Sequence, residues 1–147
     1  MHTKLWTLLT LSFLATTLGV AGLQHPLVAQ SPVPPVVTVP VPQSLTTVRL
    51  VNQTAAPITY EALGDTQSRL LMAGDEVTLQ NLNTPATLTF FYGDIPKDRQ
   101  TGEGLLQAAL GVDEDTGTLD VVISPTTALD ADVSNITIEA NGNVFVF

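Results

Sequence analysis

Apolar side chains recur at every second position through most of residues 45–147. A period of two is that of a β-strand with one buried face, whereas a helix repeats every 3.6 residues. The strands predicted on this basis are residues 47–50, 58–62, 69–72, 76–80, 86–92 and 118–123. Gly, Pro, Asn and Asp separate them roughly every 8–12 residues, which is typical of a sandwich or small barrel. The pattern therefore predicts an all-β fold, a small Ig-like β-sandwich of about seven to nine short antiparallel strands over residues 45–147.

The most strand-like run is Ala-Thr-Leu-Thr-Phe-Phe-Tyr at 86–92, which holds three of the six aromatic residues after residue 45. Alternation divides it into one face with Ala86, Leu88, Phe90 and Tyr92 and another with Thr87, Thr89 and Phe91. We expect the first face in the core. Phe91 is core as well if the second face is covered, which is the commoner fate of Phe. If the second face is open, Phe91 forms a candidate contact patch with Lys97 and Arg99 of the polar loop 93–104.

The C-terminus predicts a hairpin, because two alternating runs flank Asn141-Gly142. This dipeptide is typical of a two-residue turn with positive φ. Such a turn pairs Ile138 with Phe145 and Ile136 with Phe147, so the two Ile and the two Phe are predicted to share a face.

Two segments have less definite patterns. Residues 105–112 fit a strand with Leu106, Ala108, Leu110 and Val112 on one face, or a helical turn, and we favour the strand. Residues 124–134 predict a loop with room for one helical turn.

The N-terminus has the pattern of a secretory signal peptide over residues 1–30. Lys4 precedes an apolar stretch, and small residues follow at 21–22, 29 and 31, so cleavage is predicted between residues 21 and 31. The alternative is an uncleaved anchor, since residues 5–23 are uncharged and just long enough to span a membrane. Thr and Ser within this stretch favour cleavage. The mature chain is predicted to be periplasmic or secreted.

Residues 31–44 contain five prolines in 14 residues. Proline fixes φ and cannot donate a backbone hydrogen bond, which predicts a stiff Pro-rich spacer between the leader and the domain. The PxxP pattern at 32–35 is that of a recognition ligand, but we interpret it as part of the spacer.

The amino-acid composition limits the kinds of catalytic and metal sites that the domain can form. His2 and His25 lie in or beside the leader, and the chain has no Cys. The mature domain is thus predicted to lack Ser-His-Asp and Cys-His catalysis and zinc or copper sites built from His or Cys, and to be stable without disulfides. Its 14 acidic and four basic residues leave a charge of −10. An acidic chain disfavours nucleic acid and anionic membranes as partners.

Acidic turns are the remaining candidates for a site. Asp113, Asp115 and Asp120 lie in one cluster of four carboxylates, and Asp130 and Asp132 lie in a second turn. Calcium prefers six to eight oxygen ligands, so the first cluster is a candidate calcium site. It departs from the helix-loop-helix calcium loop, since it lacks the terminal Glu and has strand-like flanks. The alternative is a solvated hairpin turn.

Asp115-Thr116-Gly117 matches the short signature of aspartic proteases. Those enzymes place the signature in an apolar frame that keeps one carboxyl protonated. Here it follows Asp113-Glu114, so we interpret it as an acidic turn. No pair of carboxylates stands out for glycoside hydrolysis.

A further pattern runs through most of residues 45–147. Its positions are Ile58-Thr59-Tyr60, Gly64-Asp65-Thr66, Arg69, Val77-Thr78-Leu79, Leu82, Pro85 to Phe90, and Asn141 to Phe145. In this pattern the chain resembles a group of uncharacterised exported small proteins of cyanobacteria. The resemblance implies an exported compartment and no particular activity.

The function predicted from the sequence is that of a non-catalytic interaction or structural module. Its partner would be an envelope or extracellular protein. We expect the domain to bind no nucleic acid, no membrane after signal cleavage and no cofactor. The alternative is a calcium-binding β domain, and the third possibility is a carboxylate-based hydrolase.

Overall fold

The computed structural model describes residues 33–147. The predicted signal peptide 1–30, its predicted cleavage site and the first two residues of the predicted spacer lie outside the described residues. The ten strands are β1 (Val37–Thr38), β2 (Leu45–Asn52), β3 (Ile58–Ala62), β4 (Arg69–Leu71), β5 (Glu76–Asn83), β6 (Ala86–Tyr92), β7 (Leu106–Asp113), β8 (Thr118–Pro125), β9 (Asn135–Ile138) and β10 (Asn143–Val146). Single 3₁₀ turns occur at Pro42–Ser44 and Leu129–Ala131, and this part of the chain contains no α-helix.

The strands form two sheets that share one core. One sheet has six strands in the order β1-β10-β9-β6-β3-β4, and the other has four in the order β5-β2-β8-β7. The core contains side chains from both, including Leu50, Leu119 and Ile123 from the smaller sheet and Phe90 and Ile136 from the larger. The predicted all-β class and the sandwich are confirmed, with ten strands instead of seven to nine.

One strand pair departs from the predicted antiparallel arrangement. β2 and β8 run parallel, with Val48 opposite Leu119 and Leu50 opposite Val121. All four side chains are fully buried. Alternation assigns faces but not strand direction, because parallel and antiparallel neighbours bury the same positions. The prediction of exclusively antiparallel strands was therefore wrong at this pair.

β6 lies between β3 and β9 in the larger sheet. Leu88 and Phe90 are each 1% exposed, Tyr92 is half-buried, and Phe91 is 53% exposed. The predicted division of this strand is confirmed. The interpretation of Phe91 as core is wrong, because about half of this side chain is exposed.

The predicted Pro-rich spacer is wrong for most of its length. β1 pairs with β10, and the N–H of Val39 donates to the carbonyl of Gly142 over 2.9 Å. Val39 is 2% exposed, and Val37 and Val41 pack against the core. The compact unit begins at Val33 instead of residue 45. The valines between the prolines have apolar surface to bury, and proline is compatible with a short edge strand.

The C-terminal hairpin has a longer loop than predicted. Gly142 N–H donates to the carbonyl of Glu139 over 2.9 Å, and Glu139 N–H donates to that of Asn143 over 2.9 Å. Three residues thus form the loop, with Gly142 at φ +86°. This is the three-residue alternative to the two-residue Asn-Gly turn.

The longer loop shifts the register by one residue. Ile138 pairs with Val144, and Ile136 pairs with Val146. The predicted pairing with Phe145 and Phe147 was wrong, and both Phe belong to the opposite face of β10. A one-residue shift in register reverses the face of every side chain in the strand.

β5 extends past its predicted end at residue 80. Its pairing with β2 shifts register between Thr46 and Val48, and Asn81 adopts φ +56°. Asn tolerates the left-handed region better than most residues, so the strand accommodates a β-bulge and continues to Asn83.

The two segments with less definite patterns follow the favoured interpretations. Residues 105–112 contribute to strand β7, and the loop 124–134 contains the 3₁₀ turn Leu129–Ala131. Leu106 is buried, while Ala108, Leu110 and Val112 on the same face are half-buried.

A buried amide connects the two sheets at the end of β2. The side-chain Nδ2 of Asn52 donates to the carbonyls of Ala56, Leu71 and Met72, each at 3.0 Å. Its Oδ1 accepts the N–H of Thr54 at 2.9 Å. Asn52 is fully buried. Because β2 belongs to the smaller sheet and Leu71 to β4 of the larger one, this side chain holds both sheets.

The adjacent phenylalanines of β6 provide a test of the fold. Phe90→Ala should lower the free energy of unfolding by about 3–5 kcal/mol, because a fully buried ring is removed. Phe91→Ser should cost less than about 1 kcal/mol, since that ring is half in solvent. Chemical denaturation of both variants checks this. Equal losses at the two positions would contradict the assigned faces.

Candidate interaction surface

The outward side of the six-stranded sheet carries a flat array of threonines bordered by large apolar side chains. Strand pairing arranges it in three rows across the sheet. The rows are Leu70–Thr59–Phe91, Glu61–Thr89–Asn135–Phe147 and Leu63–Thr87–Thr137–Phe145. We call these residues the Thr/Phe face.

The sequence forms this face because its strands place small polar residues outward. Thr59, Thr87 and Thr137 alternate with buried neighbours, and β-branched Thr suits a strand whose other side is packed. The hydroxyls of Thr87 and Thr137 lie 3.4 Å apart across adjacent strands. The middle of the face is thus lined by short side chains that do not project far from the sheet.

The borders of the face expose much of the apolar surface of residues 33–147. Eight large apolar side chains are exposed in this part of the chain, and four of them lie on the Thr/Phe face. Those four are Leu70 at 65% exposed, Phe147 at 59%, Phe91 at 53% and Leu63 at 51%. Scattered exposed apolar residues are ordinary, but several gathered on one sheet face mark an interaction site.

The Thr/Phe face carries fewer charged residues than the outer side of the smaller sheet. Glu61 is the one charged residue in the three rows. On the smaller sheet, Arg49 donates from Nε and Nη2 to both carboxylate oxygens of Asp120, at 2.9 and 2.8 Å. Hydrogen bonding and attraction by Asp120, with further attraction by Glu76 and Asp113, raise the pKa of Arg49. The Thr/Phe face is therefore the weakly charged side of an acidic protein.

The three residues of the predicted contact patch belong to two different elements. Phe91 lies on the Thr/Phe face, but Lys97 and Arg99 lie in the loop after β6. Lys97 Nζ is 2.7 Å from the carboxylate of Asp132, whose side chain is only 6% exposed. That carboxylate also accepts the N–H of Leu106 at 3.3 Å. Lys97 thus holds the loop against the start of β7.

Sequence reasoning missed Leu63, Leu70, Phe145 and Phe147 as members of this face. Both faces of β10 are apolar, so alternation did not decide between its valines and its phenylalanines. The length of the loop decides which of these side chains face the core. A three-residue loop includes Ala140 together with Asn141 and Gly142. Leu63 extends β3 by one hydrogen bond, from its N–H to the carbonyl of Thr87 at 2.9 Å.

The candidate calcium ligands do not gather around one point. Asp120 is held by Arg49, and Asp113 Oδ1 accepts the N–H groups of Asp115 and Thr116 at 3.0 and 3.3 Å. Among residues 33–147, no three His, Cys, Asp or Glu side chains form a group suited to a metal ion. The geometry gives the calcium hypothesis no support. At the tip of the β7–β8 hairpin, Asp115 and Thr116 are exposed, and the half-buried Gly117 lies beside Pro40.

A cleft of about 410 Å³ lies between the loop after β6 and the segment after β8. Its lining residues are Tyr92, Ile95, Gly102, Glu103, Gly104, Leu105, Pro125, Thr126 and Thr127. Glu103 is the one carboxylate among them. The cleft therefore does not offer the two carboxylates that glycoside hydrolysis requires.

Comparisons with protein-family models, with curated proteins and with solved structures found no match to this chain. The resemblance to cyanobacterial exported proteins stays a prediction. Within residues 33–147, no helix is long and apolar enough to cross a membrane.

Two exposed turns depend on ionised carboxylates. The N–H of Gln100, with help from Thr101, lowers the pKa of Asp98. The Thr116 hydroxyl and N–H, the N–H of Asp115 and the charge of Arg49 lower the pKa of Asp113. Each carboxylate is thus ionised more readily in the folded chain than in the unfolded one.

The sign of these shifts predicts acid sensitivity of the β7–β8 hairpin. A lowered folded pKa contributes stability above the unfolded value of 3.8, and the contribution is lost as pH falls through the lower folded value. Asp113→Asn should therefore reduce the loss of stability below pH 3.8. Thermal unfolding of both proteins from pH 7 to pH 2 measures this. Parallel stability curves throughout that range would contradict it.

Proposed function

We propose that this protein is a non-catalytic interaction module that acts outside the cytoplasm and binds a protein partner through its Thr/Phe face. The observation that carries the proposal is the gathering of Leu63, Leu70, Phe91 and Phe147 on one weakly charged sheet face. A protein with an excess of acidic residues keeps this face nearly free of charge, although charged side chains there would favour solubility.

The chemistry of the face defines the partner. Apolar borders gain from burial against apolar groups, at about 25 cal/mol for each Å² removed from water. The threonines between them donate and accept hydrogen bonds with little loss of side-chain freedom, because β-branched side chains have few rotamers. We therefore infer a partner surface that is flat, mainly apolar and uncharged, with polar groups near its middle.

The compartment is inferred from the sequence. A leader with the pattern of a signal peptide and the resemblance to exported proteins support a periplasmic or secreted location. The domain reaches its fold without cysteine, so it does not depend on an oxidising compartment. The partner is accordingly sought among envelope or extracellular proteins.

Photo-crosslinking from defined positions tests this function. A photoreactive phenylalanine analogue placed at Phe91 or Phe147 of the full chain should form one discrete adduct with an envelope protein in the producing cells. The same analogue at Thr78, on the outer side of the smaller sheet, should not form it. Mass spectrometry identifies the adduct.

A matched pair of substitutions gives the control. Phe91→Ser should abolish capture of the identified protein by purified chain, with its melting temperature nearly unchanged. Leu129→Ser removes an apolar side chain of equal exposure, 52% against 53%, from a site outside the sheet, and should leave capture intact. Adducts from Thr78 alone, adducts from none of the positions, or equal effects of the two substitutions would refute the proposal.

A further inference from the structure

The two sheets have four edge strands, and three of them are protected against pairing with another chain. β1 has only two residues and lies between Pro35 and Pro40. β4 has three residues. β5 carries Glu76 and is bent by the bulge at Asn81. Short length, proline, charge and bulges are the devices by which proteins prevent edge-to-edge association.

The fourth edge strand, β7, has none of these devices along its centre. It has eight residues, pairs with β8 without any shift in register, and contains no Pro, Lys or Arg. Its one charged residue is Asp113, at its end. A long, regular and uncharged edge is a site for pairing with a further strand.

The hydrogen bonds of Leu106 show which backbone groups face this edge. Its carbonyl accepts the N–H of Val133 at 2.7 Å, away from β8. Because backbone groups alternate in direction along a strand, those of Ala108, Leu110 and Val112 face the same way. None of these six N–H and C=O groups has a hydrogen-bond partner within residues 33–147.

We propose that β7 pairs antiparallel with β7 of a second copy of this chain, about a two-fold axis at Leu110. The two four-stranded sheets then form one continuous eight-stranded sheet. Leu110 pairs with its own copy, and Ala108 pairs with Val112. All three are hydrogen-bonded pairs that exchange two bonds each, so the six open groups of each copy are satisfied.

The side chains favour a second copy as the occupant. In this register Asp113 lies opposite Gln107, so like charges do not meet. Ala109 lies opposite Gly111, where a Cβ atom would have nothing within 4 Å. These small residues let the two strands approach closely at this pair.

The surroundings of the edge also suit self-association. The half-buried side chains of Ala108, Leu110 and Val112 would lose their remaining exposure. β1 packs beside β7, and residues 33–44 include no charged side chain. This association is independent of the Thr/Phe face, which belongs to the other sheet.

Disulfide trapping in the chain, which contains no cysteine of its own, tests the register. An equimolar mixture of Ala109→Cys and Gly111→Cys chains should form a disulfide-linked dimer under mild oxidation. Directly opposite residues of this type have Cα atoms about 4.5 Å apart. Neither variant alone should form this disulfide, because the single cysteines of its two chains would have Cα atoms about 8 Å apart, beyond the usual reach of a disulfide.

Light scattering after size exclusion provides the second measurement. The wild-type chain should be a dimer, and Ala108→Pro should be a monomer with intact β structure by circular dichroism, because the N–H that proline removes is not used within the chain. Gln107→Ser, beside it, should remain a dimer. A monomeric wild-type chain would overturn the proposal, whether the edge is left open or covered by another segment. Equal trapping in the single variants and in the mixture would overturn it too.

Discussion

The buried amide of Asn52 sets the relation between the two sheets, and both outer surfaces depend on that relation. Its side chain satisfies carbonyls of β4 and of the β2–β3 connection, and its own carbonyl accepts the N–H of Thr54. A buried carbonyl left without a donor costs about 1–3 kcal/mol. A hydrophobic residue at this position would remove one donor from each of these carbonyls and the acceptor of the Thr54 N–H, although the carbonyls of Ala56 and Met72 would keep the Thr54 hydroxyl and the Asp75 N–H as donors. Asn52 therefore specifies one arrangement of strands where burial alone would permit others.

With the inner faces fixed against each other, the two outer faces carry different chemistry. The smaller sheet presents the Arg49–Asp120 ion pair among further acids, which suits exposure to water. The larger sheet presents the Thr/Phe face, with one charged residue in three rows. The larger sheet is the candidate for binding, because solubility accounts for the charged surface of the smaller sheet but not for the apolar borders of the Thr/Phe face. The β7 edge adds a separate route to association within the smaller sheet.

The alternation of apolar and polar residues correctly predicted the features that depend only on neighbouring residues. The division of β6 into buried Phe90 and exposed Phe91 follows from the side-chain period of a strand, and it placed Thr87, Thr89 and Phe91 correctly on the candidate face. The pattern did not reveal the parallel pairing of β2 with β8 or the entry of Val39 into the core, because both depend on contacts between distant segments. The misassigned hairpin turn placed Phe145 and Phe147 on the same face as Ile136 and Ile138. That single residue of loop length concealed both C-terminal phenylalanines as members of the Thr/Phe face.

The central claim is that the Thr/Phe face is exposed to solvent in the protein without its partner, while the other face of the same strands is packed. Solvent paramagnetic relaxation enhancement, measured by NMR on the ring protons of the phenylalanines, tests it directly. The account predicts strong relaxation for Phe91 and Phe147 and almost none for Phe90. Protection of Phe91 equal to that of Phe90, or strong relaxation of Phe90, would contradict it.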